Sequence, residues 1–258
     1  MSRAPMVVVH RDRDLLAASA AARLVTAIVD AQSSRGEADV VLTGGSMGAA
    51  LLVSLGQSAA MDAIDWRHLN LWWGDERFLP SGDPERNETQ AHEALLDAVP
   101  LDPARVHPMP ASDGADGADV EAAAARYAAE LDVAAPGGGV PQFDVLLLGV
   151  GPDAHIASLF PGHPALHERD AAAVAVRGAP KPPPIRISMT FPTLLAARDV
   201  WFLVSGPDKA SAVGLALSGA GEMQAPAAGV SGVRSTTWLL DRDAATYVPK
   251  QLIRLASP

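Results

Sequence analysis

The sequence contains no cysteine, which excludes disulfide bonds and metal sites built on thiolates. No apolar segment approaches the roughly 20 residues that a membrane-spanning helix needs. Basic residues are also few, because 20 Lys and Arg stand against 30 Asp and Glu, for a formal net charge of −10. This acidic balance argues against a nucleic-acid or anionic-membrane partner, although a local group of basic side chains can still bind a phosphate.

The N-terminal segment, MSRAPMVVVHRDRD, lacks the long apolar core of a secretory signal. We therefore expect a cytoplasmic protein. With 258 residues, of which 48% are apolar, the chain is long enough for one large core. We predict a single α/β domain over residues 1–258.

Short apolar runs alternate with helical patterns along the chain, as in α/β proteins with a parallel sheet. The first helix is predicted from Asp12 to Asp30, and a short helix is predicted after the last strand. The predicted strands cover residues 6–10, 40–43, 69–73, 145–148, 172–176, 185–190, 199–204 and 235–240.

The stretch from Phe143 to Gly162, FDVLLLGVGPDAHIASLFPG, carries the strongest functional signal. Its apolar run Val145–Leu148 predicts a strand that is buried on both faces. Asp153 and His155 follow beyond the carboxyl end of that strand, where parallel α/β sheets bind their ligands. A His placed there, beside a carboxylate that can orient it, is a candidate general base.

Two alternative interpretations apply to this stretch. Gly149, Gly151 and Ala154 fit the G-x-G-x-x-A pattern of dinucleotide-binding turns, but Pro161-Gly162 leaves little room for the helix that binds the pyrophosphate. In the other interpretation, His155 only caps a turn and takes no part in chemistry.

A second candidate site follows the predicted strand at residues 40–43, where Gly44-Gly45-Ser46 leads into a helical pattern from Met47 to Leu55. Free backbone N–H groups and the helix dipole make such a junction a ready anion site. No Walker lysine follows, so the segment is not a nucleotide P-loop. The alternative is a plain turn in which Ser46 caps the helix.

Three cations stand where they can bind a phosphate. Arg77 follows a predicted strand, and the acids Asp75 and Glu76 beside it belong either to a site or to a surface ion pair with Arg77. Lys181 lies in the stiff segment GAPKPPP, which reduces the entropy lost on binding. Lys209 lies near the N-terminus of a helix that is predicted to start at residues 206–210, where a cation is disfavoured unless an anion is bound. For both lysines, a solvated surface position is the alternative.

His163 and His167 have the spacing of a helical metal-binding pair. Pro164 lies between them, however, and no third ligand is evident. We predict no metal site.

Taken together, these segments resemble the 6-phosphogluconolactonases over nearly the whole chain. The resemblance lies in five ordered blocks, which are LTGGS at 42–46, WGDERF at 73–78, FDVLLLGVGPDAHIASLFPG at 143–162, KPPPIR at 181–186 and DVWFLVSGPDKA at 199–210. Each block alone is moderately specific, whereas five in this order are a strong signal.

The resemblance implies a three-layer, doubly wound α/β fold, in which helices flank a mostly parallel, modified Rossmann-like sheet. It also implies hydrolysis of the sugar phosphate lactone 6-phospho-D-glucono-1,5-lactone in the oxidative pentose phosphate pathway, with no metal or other cofactor. His155 is then the general base, and Asp153 orients it. The implied substrate contacts are Gly44, Gly45, Ser46, Arg77 and one or both of Lys181 and Lys209 for the phosphate, with Asp75 facing the sugar hydroxyls. A monomer is favoured.

The chain departs from the pattern of that family at two places. Met47-Gly48 replaces the usual Thr-Pro, so a hydroxyl contact to the phosphate is expected to be missing. Ala154 replaces the Gly of Asp-Gly-His, and its methyl group disfavours a positive φ in the turn.

The same superfamily includes glucosamine-6-phosphate deaminases and non-catalytic sugar-phosphate sensors, which remain alternatives. The deaminases carry an Asn-Glu-Pro acid after the His, where this chain has Ser158–Gly162 with no acid. The sensors need a helix-turn-helix, whereas this acidic chain begins with a predicted strand. Both differences favour the lactonase.

Overall fold

A central sheet of eight strands and a second sheet of three strands are present in the computed structural model, which describes residues 4–255. The strands are β1 (Met6–His10), β2 (Ala38–Leu42), β3 (Leu69–Trp73), β4 (Asp75–Arg77), β5 (Val106–His107), β6 (Val145–Leu148), β7 (Ala173–Arg177), β8 (Ile185–Met189), β9 (Asp199–Val204), β10 (Ser235–Asp241) and β11 (Ile253–Leu255). The α-helices are α1 (Arg13–Arg35), α2 (Gly45–Gly56), α3 (Asn87–Ala94), α4 (Val120–Ala134), α5 (Phe191–Leu195) and α6 (Ala210–Leu217).

Neighbouring strands of the central sheet are all parallel, in the spatial order β11-β1-β10-β9-β6-β2-β3-β5. Its inner strands are buried on both faces, since all 4 residues of β6 and all 6 residues of β9 are buried. Both faces of such a sheet must be covered, and helices flank it. The predicted α/β class with a mostly parallel, helix-flanked sheet is confirmed.

Helix α1 shows how local signals set the elements of this fold. The Asp12 carboxylate accepts a hydrogen bond from the Leu15 N–H at the start of the helix, and Gly36 ends it at φ 85°. The prediction ended this helix at Asp30, but it continues to Arg35 because no breaking residue stands before Gly36. Neither α1 nor any other helix within residues 4–255 is long and apolar enough to cross a membrane.

The strand order reverses between β2 and β6, which lie side by side. Strands β3 and β5 continue the sheet beyond β2, and strands β9 and β10 continue it beyond β6. At such a reversal a crevice opens beyond the carboxyl ends of the two strands. The loops after β2 and β6 carry Gly44–Ser46 and His155, so both flank this crevice.

Strands β4, β8 and β7 form the second sheet, and its pairs are antiparallel. The connection between β7 and β8, residues 178–184, is too short for the crossover of a dozen or more residues that parallel strands need. The segment Asp75–Arg77, which the sequence presents as a polar loop, is strand β4 because it pairs with Arg186–Ser188 of β8.

The predicted helix after the last strand is wrong, because residues 242–248 form turns. The Asp241 carboxylate accepts hydrogen bonds from the N–H groups of Ala244 at 2.8 Å and Gly206 at 3.1 Å, and from the Ser205 hydroxyl. These bonds tie the backbone to a side chain in place of a helical ladder.

Candidate active site

A cavity of about 280 Å³ lies at the reversal of the central sheet, where the ends of β2, β6 and β9 meet β4. This volume is close to the lower end of the range of about 300–1,000 Å³ that is usual for small-molecule sites. The cavity brings together every predicted site residue except Asp153, namely Gly44, Gly45, Ser46, Asp75, Arg77, His155, Lys181 and Lys209.

His155 and Asp153 form a hydrogen-bonded pair in which ring atom Nδ1 lies 2.5 Å from a carboxylate oxygen. Burial opposes the ionisation of Asp153, but the hydrogen bond and charge of His155 outweigh burial and lower the pKa of Asp153 to about 2. An ionised carboxylate can only accept hydrogen bonds. The proton of the neutral imidazole therefore sits on Nδ1, and Nε2 keeps a free lone pair.

A tight turn holds this pair in place. The Gly151 N–H donates to the His155 carbonyl at 2.9 Å, and the Ala154 N–H donates to the Gly151 carbonyl at 2.9 Å. Ala154 adopts φ 65°, so the turn keeps its left-handed residue despite the methyl group. A Cβ atom on Gly151 would lie 2.1 Å from the His155 ring, so only glycine fits beside the imidazole.

Helix α2 begins at the Gly44-Gly45-Ser46 turn, where no side chain of the described residues caps it. The N-cap residue is Gly44 and Ser46 lies in the first helical turn, so the alternative of Ser46 as the cap is wrong. Gly45 adopts φ 75°, a conformation that favours glycine. The first N–H groups of α2 are therefore available to an anion in the cavity that this turn lines.

Asp75 and Glu76 are buried, so the alternative of a surface ion pair with Arg77 is wrong. The Asp75 carboxylate accepts a hydrogen bond from the Ser158 hydroxyl at 2.6 Å. Burial raises the pKa of Glu76 to about 7, although the charge of Arg86 and three backbone N–H donors favour its ionised form. Asp75 lines the cavity, whereas Glu76 is fully buried beside it.

The predicted phosphate-binding cations Arg77 and Lys209 have different surroundings. Arg77 donates through Nη1 to the Glu85 carbonyl, and its Nε is buried without a partner in the part of the chain that the structure describes. Lys209 donates to the Asp208 carboxylate at 2.8 Å. This contact already relieves the charge conflict at the start of α6, so the electrostatic argument for an anion at Lys209 is weaker than the sequence suggested.

Lys181 lines the cavity on a segment that the buried guanidinium of Arg186 fixes. Arg186 donates to the carbonyls of Lys181 at 3.1 Å, Pro182 at 3.2 Å and Pro183 at 3.1 Å. Burial lowers the pKa of Arg186, and the charge of Asp75 opposes this effect. The stiffness that the prolines predict for this segment thus has a second source.

Arg186 and Asn87 also line the cavity, although neither was predicted from the sequence as a site residue. Arg186 had one signal, its place at the end of the block KPPPIR. Asn87 had none, because its partner Asp75 and its neighbour Gly44 lie elsewhere in the chain.

The departure Met47-Gly48 replaces a hydroxyl with close packing. Met47 is buried and lines the cavity without a polar hydrogen to donate. A Cβ atom on Gly48 would lie 2.0 Å from the Thr43 carbonyl oxygen, so the start of α2 packs against the end of β2 more closely than a side chain allows.

Two other patterns of the sequence have structural explanations. Within residues 4–255, no α-helix follows β6 ahead of the 3₁₀ helix Pro164–His167, so the dinucleotide alternative lacks a helix for the pyrophosphate. His163 caps that 3₁₀ helix by accepting from the Ala165 N–H at 3.1 Å and donating to the Arg177 carbonyl at 2.9 Å. No three His, Asp or Glu side chains of the described residues are grouped to hold a metal ion.

The fold and the cavity define a class of protein, an α/β protein in which a His–carboxylate pair and an uncapped helix N-terminus meet at one small-molecule site.

A family model described as glucosamine-6-phosphate isomerases/6-phosphogluconolactonase matches residues 11–238. The chain is 63% identical to the 6-phosphogluconolactonase of Streptomyces coelicolor, with 100% of both chains covered. It is 52% identical to that of Mycobacterium tuberculosis, with 92% of this chain and 96% of the relative covered. The structure of 6-phosphogluconolactonase from Trypanosoma brucei matches with a TM-score of 0.82 at 27% identity, covering 96% of this chain and 100% of that one.

The chain belongs to the glucosamine-6-phosphate isomerase/6-phosphogluconolactonase family. Within that family it groups with the 6-phosphogluconolactonases and is an enzyme, a lactone hydrolase. The family resemblance found in the sequence is confirmed. The roles of the individual site residues stay predictions.

Proposed function

We propose that the protein hydrolyses 6-phospho-D-glucono-1,5-lactone to 6-phospho-D-gluconate in the oxidative pentose phosphate pathway, with water activated by His155 and without a metal ion. The names of its relatives support this substrate. One observation carries the proposal. His155, oriented by Asp153, lines the same cavity as Arg77 and the uncapped N-terminus of α2. A base and an anion site that line one cavity suit a lactone that carries a phosphate away from its reacting carbon.

His155 supplies the general acid and base in this mechanism. Its Nε2 takes a proton from water while the water oxygen forms a bond to the lactone carbonyl carbon C1. The tetrahedral intermediate then collapses, the C1–O5 bond breaks, and the imidazolium returns the proton to O5. Asp153 holds the Nδ1–H tautomer and stabilises the imidazolium. Acid–base catalysis of this type accelerates a reaction by about 100- to 10,000-fold, and no covalent intermediate is needed.

The phosphate is bound far from the reacting carbon. The N–H groups of Gly44, Gly45 and Ser46 provide hydrogen bonds to it, and Arg77 with one or both of Lys181 and Lys209 provides positive charge. Binding energy from this remote group positions C1 against His155. The buried Asp75 carboxylate lines the cavity and accepts hydrogen bonds from the sugar hydroxyls.

One assay separates this function from the two alternatives. Freshly prepared 6-phosphogluconolactone is supplied to the protein, and acid release is followed in a pH-stat against the spontaneous rate. A parallel sample receives glucosamine 6-phosphate and is assayed for ammonia. We expect acid release well above the spontaneous rate and no ammonia. Ammonia release without lactone hydrolysis identifies a deaminase, and binding of either compound without turnover identifies a sensor.

A further inference from the structure

The Glu76 carboxylate is a hub that joins strand β4 to helix α3. It is fully buried, with 0% of its surface exposed. One oxygen accepts hydrogen bonds from the N–H groups of Arg77 at 2.8 Å and Asn87 at 2.7 Å, and the other accepts from the Glu88 N–H at 2.9 Å. Two of these donors belong to the first turn of α3, so Glu76 caps that helix from a distant part of the chain.

The position of Glu76 in its strand separates it from the cavity. Side chains alternate between the two faces of a strand, and Asp75 and Arg77 on either side of Glu76 both line the cavity. Fixing Glu76 against α3 therefore fixes the backbone that carries both neighbours. The Arg86 guanidinium is itself buried and lies 3.9 Å from the Glu76 carboxylate, so its positive charge also helps to hold the carboxylate in place.

Asn87, the first residue of α3, extends this connection to the anion turn. Its Nδ2 donates to the Asp75 carbonyl at 2.8 Å. Its Oδ1 occupies the place of a side chain at Gly44, since a Cβ atom there would lie 1.8 Å from that oxygen. Oδ1 is buried and accepts no hydrogen bond from the described residues. An unpaired buried acceptor is costly, so the Nδ2 hydrogen bond to Asp75 and the surrounding packing must hold Oδ1 against Gly44.

We propose that Glu76 and Asn87 are positioning residues for the phosphate end of the substrate. Glu76 sets the first turn of α3, and Asn87 then sets the spacing between the anion turn at Gly44 and the strand that carries Asp75 and Arg77. Among the described residues, neither Glu76 nor Asn87 forms a hydrogen bond with His155 or Asp153. The pair therefore acts on phosphate affinity and on discrimination between phosphorylated and unphosphorylated lactones, and not on the chemical step. This inference rests on the proposed function.

The test uses two variants of the whole 258-residue chain and a control variant. Glu76→Gln removes one acceptor of the hub. Asn87→Ala removes the amide but leaves the hub, because Glu76 binds the backbone N–H of residue 87. Asp30→Asn, at an exposed side chain of helix α1, is the control. Each protein is assayed for KM and kcat with 6-phosphogluconolactone and with unphosphorylated glucono-1,5-lactone, and for its Kd for inorganic phosphate by calorimetry.

We expect both variants to raise KM for the phosphorylated lactone and Kd for phosphate at least tenfold, with kcat within threefold of the wild type. The kcat/KM for the unphosphorylated lactone should fall by a smaller factor, because this substrate keeps the contact with Asp75 but lacks the phosphate, and the control should match the wild type throughout. Equal losses with both lactones, or an unchanged phosphate Kd, would overturn the inference. If the wild type hydrolyses neither lactone, the proposed function fails, while the phosphate Kd values of the variants still decide the inference. If Glu76→Gln does not fold, Asn87→Ala decides it alone.

Discussion

The carboxylate of Asp153 lies 2.5 Å from Nδ1 of His155, across a turn whose middle residue has a positive φ. The pair is built within one short segment, whereas the anion turn that shares the cavity comes from a strand about 100 residues earlier. Because the ionised carboxylate accepts a hydrogen bond from the Nδ1–H group, Nε2 is the ring nitrogen that is left to act as a base.

His155→Ala should remove most turnover and leave substrate affinity nearly intact. The imidazole acts on the reacting water and not on the phosphate, so kcat should fall by about 100- to 10,000-fold. The measurement is kcat with 6-phosphogluconolactone, together with Kd for the product 6-phosphogluconate by calorimetry. A large loss of product affinity with kcat preserved would show that His155 binds the substrate and does not activate water.

Asp153→Asn should lower kcat by roughly tenfold or more, with little change in KM. The Asn amide removes the charge that stabilises the imidazolium, and its N–H₂ group can select the other ring tautomer, in which Nε2 carries the proton. The double variant Asp153→Asn with His155→Ala tests whether Asp153 acts only through His155, because an orienting residue has nothing to orient once the imidazole is removed. The double variant should be no slower than His155→Ala alone; a further loss would assign Asp153 an independent role.

Arg77→Ala should raise KM for the phosphorylated lactone by about 10- to 100-fold, because hydrogen bonds to charged groups contribute roughly 1.5–3 kcal/mol each. The same variant should weaken competitive inhibition by inorganic phosphate. Arg126→Ala is a suitable control, since Arg126 pairs on the surface with Asp116 and such pairs contribute little. An unchanged KM in Arg77→Ala removes this residue from the phosphate site.

The sequence predicted those parts of the site that depend on local pattern. The strand Val145–Leu148 and the pair Asp153 and His155 all follow from one continuous stretch, and the structure places them together. The neighbourhood of β2 and β6 could not be read from local pattern, because it depends on strand order across the whole sheet. The resemblance to known lactonases supplied the grouping of the phosphate contacts.

The features that the sequence did not predict are strand β4 and two polar residues of the cavity, and they depend on contacts that local pattern does not show. Strand β4 has only polar residues, and it is a strand because β8 pairs with it. Arg186 and Asn87 look like surface residues by type, yet in the interior Arg186 donates to the Lys181 carbonyl and Asn87 donates to the Asp75 carbonyl. Burial of a polar residue of this kind requires partners that the one-dimensional pattern does not show.

Ala154→Gly should change the stability of the protein by less than about 1 kcal/mol. Relief of the left-handed conformation stabilises the variant by roughly 1–2 kcal/mol. Loss of a buried methyl group costs about 0.8 kcal/mol, and the greater freedom of glycine in the unfolded chain costs about 0.4–1 kcal/mol. These terms nearly cancel, and kcat should also be unchanged because the turn already has the shape that glycine prefers.

The control for this prediction is Ala123→Gly, at a fully buried position within α4. There the backbone is helical, so no strain is relieved and the losses add to roughly 2 kcal/mol. Both variants are compared with the wild type by urea unfolding at equal slope. Equal destabilisation of the two variants would mean that the positive φ of Ala154 stores no strain.

The raised pKa of Glu76 makes stability depend on pH in a defined direction. Its ordinary value is 4.5 and its value in the folded protein is about 7, so between these limits the folded state binds more protons than the unfolded state. The contribution of Glu76 is therefore full below about pH 4.5 and is lost as the pH rises through 7. Glu76→Gln cannot titrate, so the stability difference between wild type and variant should shrink from pH 5 to pH 8. Because one pKa unit corresponds to about 1.4 kcal/mol, the change should be on the order of 3 kcal/mol or less.

Urea unfolding of both proteins at the two pH values measures this change. The cost of the hydrogen-bond acceptor that the variant lacks is the same at both pH values, so it does not affect the difference between them. Parallel pH dependence of the two proteins would show that the backbone donors and Arg86 keep Glu76 ionised in spite of its burial.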